Sequence, residues 1–162
     1  MDYYTKLDNH PYAACYLDDA MNILGQMFDY GYYDLHLDMQ KIFDMFLDSG
    51  VAAEYGAGFP KYVGGMVGRD VFRYVQFYLD GDFPPVKDET YSGHPDMPFW
   101  TGWIIAYYQW TRNITFDKFR ECGVTMDNFE IAYPALHTAS EERACLAIDE
   151  WFKSQPRYTK EV

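Results

Sequence analysis

The sequence lacks the features that most often indicate a metal site or a disulfide framework. It has only 3 cysteines and 4 histidines in 162 residues. None of them forms a Cys-x-x-Cys or His-Glu-x-x-His pattern, so no structural zinc site is predicted. Cys15, Cys122 and Cys145 are odd in number and have no paired spacing. We therefore expect the chain to fold without a disulfide, a metal or a cofactor.

Long apolar runs are also missing. No segment approaches the roughly 20 apolar residues that a membrane-spanning helix needs. The N-terminus has no basic segment followed by an apolar one, so it does not resemble a secretory signal. These absences predict a cytoplasmic protein with no membrane contact.

Positive charge is scarce, because 13 lysines and arginines stand against 25 aspartates and glutamates, for a formal net charge of −12. Ten acidic residues and only two lysines lie within residues 1–60, so about two-thirds of the net charge is carried there. Such a surface repels the phosphates of nucleic acids and anionic lipids, and it attracts cations and basic proteins. The charge argues against direct nucleic-acid binding and favours a basic protein partner.

Aromatic residues are abundant, at 20% of the sequence, and three of the four tryptophans fall within residues 99–110. Apolar residues recur there at i, i+3, i+4 and i+7 and continue on an adjoining stripe, which predicts a helix that is apolar almost all round. Such a helix belongs in a core. We expect the chain to pack around it, with Trp103 buried. The competing interpretation is a stacking platform for a nucleotide or a sugar.

The remaining amphipathic segments also have the helical period, and no long segment alternates with period two. The glycine-rich segment 51–68 predicts short helical turns joined by tight bends, since no strand precedes it and no Gly-Lys-Ser/Thr follows it as in a phosphate-binding loop. Other predicted helices are 13–30, ended by Gly31, then 34–48, 69–79 and a short one between Thr115 and Gly123. Two more are predicted over 126–133, capped by Thr125 and stopped by Pro134, and over 140–152. Residues 81–98 are predicted to be a surface loop.

These patterns predict an all-α fold. We expect a single compact domain over residues 1–162, with about six or seven helices around the central tryptophan-rich helix. Residues 1–12 and 153–162 are expected to be less ordered.

Acidic residues line the polar faces of the first two predicted helices. In the second helix they recur at i, i+4, a spacing that is repulsive in isolation, and Arg69 and Arg73 of the third helix are the nearest expected cations. The stripe is open to three interpretations: a solvated face, a contact surface for a basic partner, or a cation site. The residues assigned to the contact surface are Asp18, Asp29, Asp34, Asp38, Asp44 and Asp48.

Catalytic patterns are weak. His36 and His94 each have a nearby aspartate, and Cys122 with His137 is the only thiol and imidazole combination worth considering. Serines are few and none lies in a Gly-x-Ser-x-Gly elbow. Carboxylates are plentiful, so a pair for acid–base catalysis stays open. The sequence thus predicts no catalytic residue, although an enzyme remains one of the classes considered.

Several motifs resemble a family of small uncharacterised proteins from gut Firmicutes over about residues 40–150. The motifs are Ser49-Gly50-Val51-Ala52, Pro60-Lys61-Tyr62-Val63-Gly64-Gly65 with Gly68, Trp100-x-Gly102-Trp103-x-x-Ala106-Tyr107-Tyr108-Gln109-Trp110, Phe116, and Tyr133-Pro134 with His137. Members of the family are often encoded near proteins of toxin–antitoxin type, including an ADP-ribosyltransferase toxin, so the resemblance implies an antitoxin-like or accessory role. It implies no catalytic residues. The sequence departs from the family at Phe99, where a tyrosine is usual, and in its acidic first third.

Taken together, the sequence predicts a non-enzymatic module that binds a basic protein, either a toxin or a nucleic-acid-handling enzyme. Carboxylates can imitate phosphates, and surface tyrosines offer rigid contact area. One version is an antitoxin-like neutraliser. The other is a phage anti-defence or anti-CRISPR inhibitor that imitates nucleic-acid charge. An enzyme of unknown reaction is the third alternative.

Overall fold

The computed structural model describes residues 10–85 and 95–154, which form nine α-helices and no strand. The helices are α1 (Leu17–Asp29), α2 (Met39–Asp48), α3 (Val51–Gly56), α4 (Pro60–Val63), α5 (Gly68–Asp80), α6 (Met97–Arg112), α7 (Asp117–Glu121), α8 (Met126–Leu136) and α9 (Glu141–Lys153). A 3₁₀ turn at Ala14–Tyr16 precedes α1, and a π-helical turn at Tyr30–Asp34 follows it. The all-α prediction is confirmed, and the short helical turns predicted within 51–68 are α3 and α4.

The tryptophan-rich segment forms α6, which makes its most extensive contact with α1. Glycines permit this close packing: a Cβ at Gly102 would overlap the carbonyl oxygen of Leu24, and one at Gly25 would lie 2.9 Å from a ring carbon of Phe99. Helices α5 and α4 pack on the other sides of α1, while α8 and α9 pack on α6. The α1 and α6 pair is therefore the centre of the fold.

The burial of α6 corrects one prediction. Trp100, Ile104 and Tyr108 are buried, but Trp103 is only half-buried. The reason is that the face of α6 that contacts α1 contains Gly102, and Trp103 lies beside that face. Almost all of the α6 surface is covered, as expected, yet one strip containing Trp103 reaches solvent.

Residues 10–12 pack against the end of α6. The indole Nε1 of Trp110 donates a 2.9 Å hydrogen bond to the Tyr12 carbonyl, and the His10 ring stacks on the same indole with centroids 3.7 Å apart. Lys153 is the last residue of α9. The expectations for residues 1–9 and 155–162 lie outside the described residues.

The second predicted helix begins later than the sequence indicated. The chain passes through the π-helical turn, where Gly31 does not end the helix, and through His36 at a φ of 56° before α2 starts. Asp38 caps α2, since its Oδ1 accepts a 2.8 Å hydrogen bond from the Lys41 backbone N–H. Helix α8 also continues past Pro134, because His137 N–H still donates to the Tyr133 carbonyl at 3.0 Å. Both differences arise from local hydrogen bonds.

None of the described helices combines the length and the hydropathy that crossing a bilayer requires. Cys15, Cys122 and Cys145 are free thiols.

We expect Gly102→Ala to lower the free energy of unfolding by about 1–3 kcal/mol, the usual cost of overpacking a core. The added methyl group would collide with the α1 backbone, which cannot yield as a side chain can. Helix propensity alone favours alanine over glycine by ~1 kcal/mol, so it predicts the opposite sign. Chemical denaturation of the two proteins measures the difference.

Gly56→Ala is the matched control, because the nearest atoms to its Cβ are side-chain atoms at 3.2–3.3 Å. These can shift by a few tenths of an ångström, so its loss should be clearly smaller. Equal stability of Gly102→Ala and the wild type would contradict the central role of the α1 and α6 contact.

Candidate functional site

The six aspartates assigned to a contact surface do not form one stripe. Asp29 is fully buried, because α1 is covered by α4, α5 and α6 and leaves only a narrow exposed face. Its assignment to the polar surface is wrong. Asp38 is occupied as the cap of α2. Asp18 and Asp34 are exposed, as predicted.

The two acids of α2 face a cation that the sequence did not indicate. Arg120 of α7 places its Nη1 2.8 Å from Asp48 Oδ1 and 3.8 Å from Asp44 Oδ1. The hydrogen bond to Asp48 raises the pKa of the Arg120 guanidinium. Arg120 therefore offsets part of the negative charge of these two acids. The partner lies 72 residues away in the sequence, so helical spacing could not reveal it.

Arg69 and Arg73 lie beside Asp70. Their charges act on the Tyr30 hydroxyl together with those of Asp34 and Asp70, while burial is the main cause that raises the pKa of this tyrosine. Arg73 Nη1 lies 3.6 Å from Asp70 Oδ1. These arginines therefore belong to a mixed cluster beside the π-helical turn.

An exposed aromatic surface is the feature that the sequence analysis did not place. Tyr78 and Phe83 are 46% and 44% exposed. They lie in the last turn of α5 and just beyond it, past the end of the core. The Phe83 ring stacks on Phe77 with centroids 4.5 Å apart and meets Tyr74 edge-on at 5.1 Å. We call Tyr74, Phe77, Tyr78 and Phe83 the aromatic patch.

Cations already lie on the faces of these rings. Lys61 Nζ is 4.0 Å from the Tyr74 ring centroid and 3.3 Å from the Tyr78 hydroxyl, and the Arg73 guanidinium lies 5.5 Å from the Phe83 centroid. Such distances are those of cation–π contacts. The patch is therefore a surface on which positive groups are stabilised.

Acidic residues lie near the aromatic patch. Asp80 and Asp82 are exposed in the segment that joins Tyr78 to Phe83. Burial is the main cause that raises the pKa of Tyr62, and the negative charge of Glu54 is the next. Glu54 therefore lies near the Tyr62 ring, which packs on Tyr74. A hollow of about 350 Å³ opens beside the patch, between Asp70, Arg73 and Phe83. Apolar rings with an acidic rim are a combination suited to a basic partner.

A second cleft, of about 450 Å³, lies where the end of α6 meets α7 and α9. Arg112 binds Asp149 through two hydrogen bonds, Nε to Oδ1 at 3.0 Å and Nη2 to Oδ2 at 2.8 Å. The Tyr108 hydroxyl donates to the same Oδ1 at 2.7 Å. Burial alone would raise the pKa of the Asp149 carboxyl, but the hydrogen bonds from Arg112 and Tyr108 outweigh it and lower the pKa.

The hydrogen-bonded side chains Tyr108, Arg112 and Asp149, which we call the lock, suit a structural role better than a catalytic one. Both oxygens of Asp149 are occupied, and a carboxylate with a lowered pKa is a weak general base. Burial raises the pKa of the Cys145 thiol to about 12, so this cysteine is not a reactive thiolate at neutral pH. Arg112 and Asp149 join α6 to α9 instead.

The histidine hypotheses find little support in the structure. Cys122 is buried and lines the cleft around Arg112, whereas the exposed His137 lines a different hollow beside Tyr133. His94 lies outside the described residues. Within the described ranges, no group of three or more histidine, cysteine, aspartate or glutamate side chains is arranged to hold a metal ion.

Comparisons of the chain with protein-family models, with curated proteins and with solved structures found no match.

We expect Asp149→Asn to lower the free energy of unfolding by about 1–3 kcal/mol at pH 7, since it removes the charged acceptor of Arg112 and Tyr108. The folded-state pKa of Asp149 is lower than its unfolded value, so its stabilisation is present above the unfolded pKa. This stabilisation is lost as the pH falls through the folded pKa. Denaturation curves from pH 7 to pH 3 should therefore show the wild type and the variant converging below about pH 4.

Glu150→Gln is the control. Glu150 is an exposed neighbour whose ion pair with Lys153 spans 3.4 Å, and such surface pairs contribute little. A change of more than about 1 kcal/mol in this variant, or none in Asp149→Asn, would contradict the structural role of the lock.

Proposed function

We propose that this protein is a non-enzymatic binding module whose partner is a basic protein, and that it acts by occupying a basic site on that partner. The observation that carries the proposal is the aromatic patch with its acidic rim. Tyr78 and Phe83 are exposed on one contiguous surface, and Asp80 and Asp82 lie in the segment between them. The net charge of −12 favours the same class of partner.

The chemistry of the patch indicates what it would contact. Tyrosine and arginine are among the residues that contribute most to protein interfaces, and an arginine stacks well on an aromatic face. Arg73 on Phe83 and Lys61 on Tyr74 are internal examples of the contact that a partner's cation would make. The acids on the rim would then attract the partner and exclude acidic competitors.

The acidic residues of α1 and α2 have a supporting role in this proposal. Asp18 and Asp34 are exposed and can add to the long-range attraction that speeds association. Asp44 and Asp48 contribute less net charge because Arg120 lies between them. The contact surface is thus proposed to centre on the aromatic patch and not on α2.

Two versions of this function differ in the partner. An antitoxin-like protein would neutralise a toxin, as the resemblance described above implies. A phage anti-defence or anti-CRISPR inhibitor would occupy the nucleic-acid site of an enzyme in place of phosphates. The second version predicts that duplex nucleic acid competes with this protein for the partner, whereas the first does not require it. An enzyme is less well supported, because the carboxylate in the 450 Å³ cleft is already paired.

We expect the double variant Tyr78→Ala, Phe83→Ala to no longer capture the partner protein. Immobilised wild type, the variant and a control would capture proteins from the source organism, and quantitative mass spectrometry would compare them. The captured protein should be basic. With the purified partner, each truncated ring should weaken binding by about 2 kcal/mol, or about thirtyfold.

The matched control is Ile131→Ala, Leu146→Ala, which removes two apolar side chains that are 80% and 63% exposed on α8 and α9. It should bind the partner normally. Asp80→Asn, Asp82→Asn should slow association and reduce its dependence on salt. Loss of binding in the control but not in the patch variant, or capture only of acidic proteins, would reject the proposal.

A further inference from the structure

A small hollow lined by aromatic rings lies at the start of α6. Its volume is about 190 Å³. The side chains that define it are Asp96, Phe99, Trp100 and Trp103 before and along α6, with Tyr133 and His137 from α8. This site shares no residue with the aromatic patch, and neither the proposed function nor the lock around Asp149 uses it.

The rings are held in place by contacts behind them. Trp100 meets Tyr133 edge-on, with centroids 5.7 Å apart, and Tyr133 stacks on His137 at 4.3 Å. Phe99 abuts α1 at Gly25, where a Cβ would lie 2.9 Å from its ring. Trp103 is half-buried, so part of its indole is open to a ligand. The lining is therefore preformed and does not need to assemble on binding.

A carboxylate completes the lining. The Tyr33 hydroxyl donates a hydrogen bond to Asp96 Oδ2, which raises the pKa of that tyrosine to about 12. The π-helical turn at Tyr30–Asp34 brings this hydroxyl to the start of α6. Asp96 Oδ1 is also buried, yet no described residue donates a hydrogen bond to it. A buried carboxylate oxygen without a donor is costly, and the positive charge of a cation in the hollow would lower that cost without a hydrogen bond.

We propose that this hollow binds a small alkylated ammonium ion, that is, a trimethylammonium group. Aromatic faces with one carboxylate are the chemistry that recognises quaternary ammonium, because the ring quadrupoles attract a cation that cannot donate a hydrogen bond. The hollow is smaller than the roughly 300–1,000 Å³ of pockets for whole drug-sized molecules, so it suits a head group or one side chain. The group can come from a free choline-like molecule or from a trimethylated lysine of a protein.

Calorimetric titration of the full-length protein tests the ligand class. The probes are tetramethylammonium, choline, and 3,3-dimethylbutan-1-ol, which has the shape of choline without its charge. We expect saturable 1:1 binding of both cations, with the neutral alcohol at least tenfold weaker. Equal binding of the neutral alcohol, or no saturable binding by any cation in the series, overturns the proposal.

Two further probes identify the source of the group. A short peptide with trimethyl-lysine is compared with the same peptide carrying unmodified lysine. Tighter binding of the methylated peptide than of choline indicates a protein ligand, and the reverse indicates a free metabolite. Both results support the site, whereas a preference for unmodified lysine contradicts it.

Variants locate the binding. Trp103→Ala and Asp96→Asn should each weaken choline binding by about tenfold, and Trp103→Phe should retain part of the affinity because it keeps an aromatic face. Phe83→Ala, in the aromatic patch, is the matched control and should bind choline as the wild type does. Melting curves confirm that each variant is folded. Unchanged affinity in a folded Trp103→Ala protein would place the cation elsewhere and reject the site.

Discussion

The close contact between α1 and α6 is the constraint on which the rest of the structure depends. A glycine at position 102 lets the α6 backbone approach that of Leu24, and Gly25 makes room for the Phe99 ring in return. Because α1 and α6 are joined in this way, α4 and α5 pack against one side of the pair and α8 and α9 against the other. The aromatic patch then lies on α5 and beyond it, and the aromatic hollow lies between α6 and α8.

The two surfaces share one physical principle, since both combine aromatic faces with negative charge. In the patch, cations of the chain itself occupy some of the ring faces, as Lys61 does on Tyr74. In the hollow, a carboxylate oxygen of Asp96 is buried without a donor among the described residues. A strongly acidic protein attracts cations from a distance, and aromatic rings then select among them at contact. The net charge therefore acts on cations at long range, and the aromatic rings act on them at contact.

Tertiary packing decides which acidic residues of the first third of the chain are available to a partner. Its formal charge is as the sequence gives it, but the acids are used in different ways: Asp29 is buried, Asp38 caps a helix and Asp48 pairs with Arg120. Arg112 and Asp149 form a further pair across α6 and α9. Such pairs join residues far apart in the chain, so composition overstates how much negative charge is available for a partner.

The sequence by itself determined the helical class, the central position of the tryptophan-rich helix and the location of α9, because these follow from apolar residues at helical spacing and from local capping such as that of Ser140. It also determined the sign of the surface charge. Only the tertiary structure decided that Trp103 reaches solvent, that Arg120 neutralises the acids of α2, and that Tyr78 and Phe83 form one exposed surface. Periodicity gives the faces of one helix, but which face is covered depends on neighbours that meet it from distant parts of the chain.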